Sequence, residues 1–322
     1  MSVKTNEADT HVTAQPLQQR IDVVASLALL ASVLCWGVVP VLLRDLRDSI
    51  GPWSANGLRY SMAAVIYWPV IIVMIAKGHA SWRFIGLCAV PAIIACGGQV
   101  LWGLAPYYLE ATAIGFFVRF SLVWATLGAM ILFADERRLL RLPRFYLGLL
   151  LSVGGFVVLA LLEGLAGANV DQTGVVIMLF CSVCFGLYAV SIRYFIRQFH
   201  PVFSFAIVAQ FVSLGTLAGM FCFGEPQRIF ELSATAWKEL VVSSMLGIAL
   251  GHILLYTGIR RIGTTIASGV QSITPFVTAA LGALFLSETM TRLEWTAGIT
   301  VVIGGLILLT AQSALPTWKA SH

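Results

Sequence analysis

Several polar side chains stand inside long apolar stretches of the sequence, where they could act on a bound solute. Arg119 lies eight residues into one such stretch, and its planar guanidinium suits a carboxylate or a phosphate. His252 and Tyr256 are four residues apart in another stretch, so a helix would place them on one face. A histidine there could line a cavity or take part in proton transfer. The structural alternatives are that Glu110 or helix-end carbonyls neutralise Arg119, and that His252 bonds to a neighbouring carbonyl.

Aromatic side chains within these stretches could stack on a flat or apolar solute, with core packing as the alternative for each. The candidate binding residues, polar and aromatic together, are Arg119, Gln271, His252, Tyr256, Trp36, Trp102, Tyr107 and Tyr188. Prolines inside apolar helices free backbone carbonyls, which can face a cavity or flex a gate. The candidates for that role are Pro40, Pro106 and Pro275, with a purely structural kink as the alternative.

The elements that must position these residues are membrane-spanning helices. The 322-residue chain is 59% hydrophobic and 11% charged, whereas a soluble domain is about 45–50% apolar and about 25% charged. So little charge cannot cover a surface that faces water, but a surface that faces lipid can be apolar. Ten stretches approach the ~20 apolar residues that a bilayer span needs, which predicts an all-α membrane protein. They are 23–43, 54–76, 82–109, 111–133, 145–163, 173–195, 202–223, 236–259, 264–286 and 294–313.

Lys and Arg are concentrated in the loops on one side of these stretches, which predicts an inner-membrane protein with both termini in the cytoplasm. The polar residues 1–22 are expected to form a disordered cytoplasmic tail, and residues 314–322 a second, short one. Arg59 lies about five residues into the second stretch, so we expect its side chain to reach the outer membrane interface.

The two halves of the chain share residues at a nearly constant offset. Cys35-Trp36-Gly37 recurs as Cys184-Phe185-Gly186, 149 residues later, and Glu136 recurs as Glu288 after 152 residues. Further pairs at the 149-residue offset are Arg44 with Arg193, Pro52 with Pro201 and Tyr107 with Tyr256. Any one match can occur by chance in so apolar a chain, but several matches in order at one offset indicate an internal repeat.

This offset predicts two five-helix repeats, 23–164 and 173–313. Five spans are an odd number, so the second repeat would cross the membrane in the opposite direction, an arrangement found in many secondary transporters. The offset of 152 also pairs Arg119 with Gln271, and we expect these two side chains to form opposite walls of one central cavity.

A composite motif runs through residues 254–305 and is partly repeated in the first half. Its members are Tyr256, Arg260-Arg261 before Ile-Gly-Thr, Pro275, Glu288 and Gly304-Gly305. The first half carries Trp36-Gly37, Asn56-Gly57-Leu58-Arg59-Tyr60, Glu136 and Gly154-Gly155. With these residues the chain resembles, over about 23–313, the EamA domains of the drug/metabolite transporter superfamily. Val123 stands where the second half has Pro275, so we expect the fourth span to lack the kink of the ninth.

The resemblance implies ten helices in a five-plus-five inverted arrangement, with gradient-driven export or exchange of small metabolites, often amino acids. We therefore expect a secondary active transporter that exports a small organic metabolite by alternating access. The expected partners are a small-molecule substrate and the lipid bilayer, with a coupling proton as a further candidate.

Enzymatic activity is not expected, because Walker A, H-E-x-x-H and G-x-S-x-G motifs are absent from the sequence. We expect no catalytic residue, cofactor, metal or nucleic-acid partner. The alternatives are a membrane-embedded enzyme and a channel-like or sensor module. Substrate identity, import versus export, the coupling ion and the oligomeric state stay open at this stage.

Overall fold

The computed structural model describes residues 22–165, 172–262 and 264–313. Ten helices in this part of the chain are long and apolar enough to cross a membrane. They are α1 (Val23–Leu46), α2 (Pro52–Ala76), α3 (Trp82–Tyr107), α4 (Ala111–Leu132), α5 (Pro143–Leu162), α6 (Gln172–Ile196), α7 (Pro201–Phe223), α8 (Ala234–Ile259), α9 (Ala267–Leu286) and α10 (Arg292–Ala311). The all-α membrane fold is thereby confirmed, whereas the predicted tails lie outside the described residues except for Asp22.

Helices from the two halves pack on each other in a symmetric pattern. The helix pairs are α2 with α7, α4 with α9 and α5 with α10, and the contacts of α1 with α8 and α9 match those of α6 with α3 and α4. Two five-helix units related by a two-fold axis would produce this pattern. The pattern fits the inverted repeat, which stays a prediction.

Glycines allow the closest of these approaches, between α5 and α10. A Cβ atom on Gly155 would lie 2.8 Å from the carbonyl oxygen of Ala297, and one on Gly148 would lie 2.9 Å from that of Gly304. Helices in lipid use such small residues to bring their backbones together, because lipid gives them no hydrophobic reason to associate. One glycine of each Gly-Gly pair in the composite motif, Gly155 and Gly304, therefore has a structural role at this contact.

Both central helices, α4 and α9, are interrupted near the middle. In α9 one helical segment ends at Gln271 and the next begins at Thr274, with Pro275 in its first turn. In α4 a 3-10 turn covers Val118–Phe120. A 3-10 turn only shifts the hydrogen bonds from i−4 to i−3 and needs no proline, and the expected absence of a kink in α4 stays a prediction.

The other candidate prolines differ from each other in their surroundings. Pro40 lies inside α1, as expected of a kink or gate residue. Pro106 lies in the 3-10 turn that ends α3, so it terminates a helix rather than bending one. The gating role of Pro106 stays a prediction.

The bundle has two ends, one at each surface of the membrane, and we name each end after a glutamate that lies there. The Glu288 end holds the α1–α2, α3–α4, α7–α8 and α9–α10 connections, and the Glu136 end holds the α2–α3, α4–α5 and α6–α7 connections. An ion pair at the Glu136 end joins Asp22, before α1, to Arg261, after α8 (3.5 Å).

Candidate functional site

A cluster of aromatic rings surrounds His252 between α1, α7 and α8. The imidazole stacks on Phe205, with ring centroids 4.0 Å apart and an interplanar angle of 14°. Trp36 meets the imidazole edge-on at 5.2 Å, and Tyr256 meets it at 6.2 Å. The four-residue spacing of His252 and Tyr256 thus puts them on one face, as predicted. Phe205 was not among the candidates, because nothing in its own sequence context distinguishes it from other apolar residues.

The cluster rests on a π-helical segment of α8, Met245–Leu250. π-Helical geometry disturbs the regular backbone ladder and recurs at functional sites. Side chains from neighbouring helices bond the carbonyls of this region: Trp36 Nε1 donates to Gly247 (2.9 Å) and the Tyr67 hydroxyl donates to Ala249 (2.7 Å). His252 Nδ1 lies 3.0 Å from the Ile248 carbonyl oxygen, which can only accept, so Nδ1 carries a proton and donates this hydrogen bond.

A cavity of about 70 Å³ opens beside this cluster at the Glu136 end. Its walls come from the last turns of α6 and α8 and the first turns of α7. The lining residues are Tyr188, Ile192, Ile196, Arg197, Phe199, Pro201, Ser204, Phe205, Val208 and Tyr256. Two of the predicted binding residues, Tyr188 and Tyr256, therefore share one cavity. A larger recess between α2 and α8 is lined by exposed apolar residues such as Val65 and Met245, so we assign it to the lipid-facing surface.

Arg119 lies in the 3-10 turn that interrupts α4. Its Nε atom is buried without a hydrogen-bond partner, and its guanidinium forms no ion pair with any described carboxylate. The structural alternative, neutralisation by Glu110, is therefore not what the structure contains. An ionised side chain inside a membrane protein is costly and in most cases functional, so Arg119 keeps its place as a site candidate.

Gln271 is buried and fully engaged instead of facing a cavity. Its amide nitrogen donates to Ser32 Oγ (3.0 Å), and its oxygen accepts from Thr274 Oγ1 (3.2 Å). These bonds tie α9 to α1 in this conformation, and a cavity with walls formed by Arg119 and Gln271 stays a prediction. An amide carries both donors and an acceptor that close neighbours can satisfy, whereas a guanidinium carries donors alone.

The remaining aromatic candidates lie apart from the His252 cluster. Trp102 faces Phe185 with ring centroids 6.2 Å apart, and the Tyr107 hydroxyl donates to the Ile50 carbonyl at the Glu288 end. Their placement supports packing and loop anchoring in this conformation. Their role as binding residues stays a prediction.

Arg59 is buried between α2 and α8, with 2% of its surface exposed. Its Nε donates to Ser243 Oγ (3.0 Å), while its terminal nitrogens bond Asn56 Oδ1 and the Ser243 carbonyl at 3.4 Å. The expected snorkelling to the interface was wrong, because acceptors inside the bundle replace the water that the guanidinium would otherwise seek. The i, i+3 spacing of Asn56 and Arg59 was the one local signal for this contact.

A first carboxylate cluster closes the Glu288 end. Ser287, in the left-handed region at φ 56°, ends α9 and turns the chain back towards α4. The Glu288 carboxylate then accepts hydrogen bonds from Ala111 N (2.9 Å), Thr112 N (3.0 Å) and Thr112 Oγ1 (2.9 Å). It thereby caps the N-terminus of α4, where a negative charge is favourable. Arg44 Nε lies 4.0 Å from the same carboxylate.

A second cluster lies at the Glu136 end. Arg193 Nη1 contacts Glu136 Oε1 at 2.5 Å, and the same guanidinium lies over the Phe133 ring at 4.1 Å. Glu136 Oε2 is buried and has no hydrogen-bond partner among the described residues. Each of these two pairs therefore joins an arginine of one half of the chain to a glutamate of the other half. Arg44 of the first half meets Glu288 of the second, and Arg193 of the second half meets Glu136 of the first.

Glu110 directly precedes α4, beside the Glu288 cluster. Partial burial raises the pKa of its carboxyl, Glu288 and Glu294 raise it further, and Arg44 opposes them. A carboxyl whose pKa is raised on folding costs stability once it ionises. We expect Glu110→Gln to raise the melting temperature at pH 7–8, and the gain to vanish as the pH falls below the ordinary glutamate value of 4.5.

Thermal unfolding of the purified wild-type and variant proteins between pH 4 and pH 8 measures this difference. The exposed Glu225 at the same end is the matched control, since Glu225→Gln should show no such pH-dependent gain. An equal gain for both variants, or a gain that grows as the pH falls, would contradict the assignment.

Comparison with known proteins agrees with the fold. Residues 172–311 match the model of the EamA-like transporter family. The chain is 24% identical over 207 residues to an uncharacterized transporter of Haemophilus influenzae, covering 64% of this chain and 68% of that protein. It is 37% identical over 73 residues to an uncharacterized protein of Methanocaldococcus jannaschii, covering 23% of this chain and about half (52%) of that protein.

A solved crystal structure has the same fold. It superposes with a TM-score of 0.56 at 15% identity and covers 90% of this chain and 98% of its own. At that identity the likeness concerns the fold alone. Together with the ten spans, the family match over residues 172–311 and the likeness to a transporter support a multi-pass membrane transporter of the drug/metabolite type.

Proposed function

We propose that this transporter is a secondary active exporter of a small organic metabolite in the inner membrane, with both termini in the cytoplasm. The observation that carries the proposal is the cavity beside the His252 cluster, which opens at the Glu136 end. The Lys and Arg distribution assigns this end to the cytoplasm. A solute from the cytoplasm would enter there, as an exporter requires.

The proposal includes alternating access between two inverted repeats. The two carboxylate clusters supply a latch at each end of the bundle. At the Glu288 end, both oxygens of the carboxylate bond the start of α4 and hold α9 against it. At the Glu136 end, one carboxylate oxygen contacts Arg193 and the other has no described partner. We assign this conformation to a state closed at the Glu288 end and accessible from the Glu136 end.

Arg119 is the cation that we place along the transport path inside the membrane. It has no carboxylate partner among the described residues, so a solute carboxylate or phosphate would supply the missing one. Glu110 is the residue that we assign to a coupling proton. It lies next to the Glu288 latch, and its raised pKa makes its carboxylate take up a proton more readily than an ordinary glutamate.

The experiment that tests the proposal is solute counterflow in proteoliposomes that contain the purified full chain. A panel of radiolabelled amino acids, organic acids and nucleosides is presented outside vesicles loaded with the same compound. We expect saturable uptake of at least one compound above that of protein-free vesicles. A channel would instead give flux that rises linearly with concentration, and chemical conversion of a compound would favour a membrane enzyme.

A further inference from the structure

The cavity at the Glu136 end has one charged side chain in its described lining, Arg197. Its guanidinium forms no ion pair or hydrogen bond with a described residue. None of the described lining residues is a carboxylate. The electrostatics of the lining therefore favour an anion over a cation, because an ammonium group would find a positive charge and no counter-ion.

Ser204 supplies a second polar contact. Ser204 is one of the lining residues and is 5% exposed, and its Oγ is buried without a hydrogen-bond partner, so a ligand reaches it once the side chain turns towards the cavity. A buried hydroxyl is ordinarily paired, and a serine inside a membrane helix most often bonds its own backbone. An unpaired hydroxyl in the same lining as the exposed Arg197 suits a ligand that brings acceptor oxygens.

The rest of the described wall is apolar and largely aromatic. Tyr188, Phe205 and Tyr256 line it, and the Phe205 ring is held in place by its stack on His252. Ring faces of this kind bind a flat ring by stacking or edge contacts. The volume of about 70 Å³ is well below the ~300–1,000 Å³ of pockets that hold drug-sized ligands, so only a small ligand fits.

The polar and the apolar lining residues also lie at different depths in the cavity. Arg197 and Pro201 lie at the helix ends, whereas Val208 lies seven residues into α7, about 10 Å deeper at 1.5 Å per residue. Ser204 lies between these levels. A ligand with a polar group at one end and an apolar ring at the other fits this order, with the polar group towards the mouth.

We propose that this cavity binds a small ring-bearing monocarboxylate of the benzoate class, which has no ammonium group. The carboxylate contacts Arg197 and the Ser204 hydroxyl, and the ring lies among Tyr188, Phe205 and Tyr256. The proposal rests on the proposed function, since it names the substrate class for the same site. It differs from amino-acid recognition, which would require a carboxylate or several carbonyls for the ammonium group.

Binding to the detergent-purified full chain tests the proposal without requiring transport. Isothermal titration with benzoate, benzamide and benzylamine keeps the ring constant and changes the charge. We expect benzoate to bind at least about tenfold more tightly than benzylamine, with benzamide between them. Equal affinities, or tighter binding of benzylamine, would overturn the proposal.

Two variants separate the site from a general charge effect. Arg197→Gln should weaken benzoate binding about tenfold and leave benzamide nearly unchanged, and Ser204→Ala should weaken both. Arg138→Gln removes an exposed arginine at the same end, outside the cavity, and should change neither. Equal weakening of benzoate by the Arg138 and Arg197 variants would assign the effect to surface charge and overturn the proposal.

Proteoliposome flux then distinguishes the two proposals. Benzoate binding without saturable flux of any compound would contradict the transporter and leave the binding site standing. Saturable flux of other solutes, with no benzoate binding, would overturn the substrate class alone.

Discussion

Arg119→Met should make the protein more stable and abolish transport. A charge in the middle of a membrane helix costs about 2.5–3.5 kcal/mol on insertion scales, and no described carboxylate offsets that cost for Arg119. Methionine keeps much of the length of the side chain and removes the charge, so we expect the free energy of unfolding to rise by about 1–3 kcal/mol. Counterflow of an anionic solute should fall at least about tenfold, since its internal cation is lost.

Arg59→Met is the matched control for this prediction. Arg59 is also buried, but its guanidinium forms three hydrogen bonds to Asn56 and Ser243. Its removal leaves those acceptors unpaired, so the free energy of unfolding should fall by about 1–3 kcal/mol. Thermal unfolding in detergent measures both variants. A loss of stability in Arg119→Met similar to that in Arg59→Met would indicate that Arg119 has a structural role.

Glu288→Gln should open the Glu288 end of the bundle. The substitution keeps the shape of the side chain but removes the negative charge that caps α4 and faces Arg44. A charge at a helix N-terminus contributes about 0.3–1 kcal/mol, and up to about 2 kcal/mol when it is partly buried. We expect the closed state of this end to lose population by up to about tenfold, since about 1.4 kcal/mol is a factor of ten.

The distance between spin labels on the exposed residues Asp48 and Thr289 measures the opening. The fraction of long distances should increase in Glu288→Gln and remain at the wild-type value in Glu225→Gln. Glu225 forms an exposed ion pair with Arg228 at the same end, and such pairs contribute about 0–1 kcal/mol. Identical distance distributions in Glu288→Gln and the wild-type protein would exclude the latch.

Much of the architecture could be predicted from the sequence because each span is a local feature. The apolar stretches 23–43 and 202–223 correspond to α1 and α7 within a few residues. The repeat offset also related Arg44 to Arg193 and Glu136 to Glu288. It could not show that each arginine meets the glutamate of the other half, since an offset gives equivalence and not contact.

The candidate site was less predictable because its decisive contacts join residues far apart in the chain. Arg59 and its acceptor Ser243 are separated by 184 residues, and Gln271 and Ser32 by 239. Both polar side chains therefore resembled free groups in the sequence, although the bundle satisfies their hydrogen bonds. The reverse holds for Ser204, whose free hydroxyl is not visible in the sequence because most serines in helices bond their own backbone.

The central claim is that the two ends of the bundle open in turn, and paired distance measurements test it most directly. One pair of spin labels on Asp48 and Thr289 reports on the Glu288 end, and another on Arg138 and Gln198 reports on the Glu136 end. In the presence of a transported solute, the account predicts that one distance lengthens as the other shortens. Both distances unchanged, or both lengthening together, while saturable flux proceeds would contradict it.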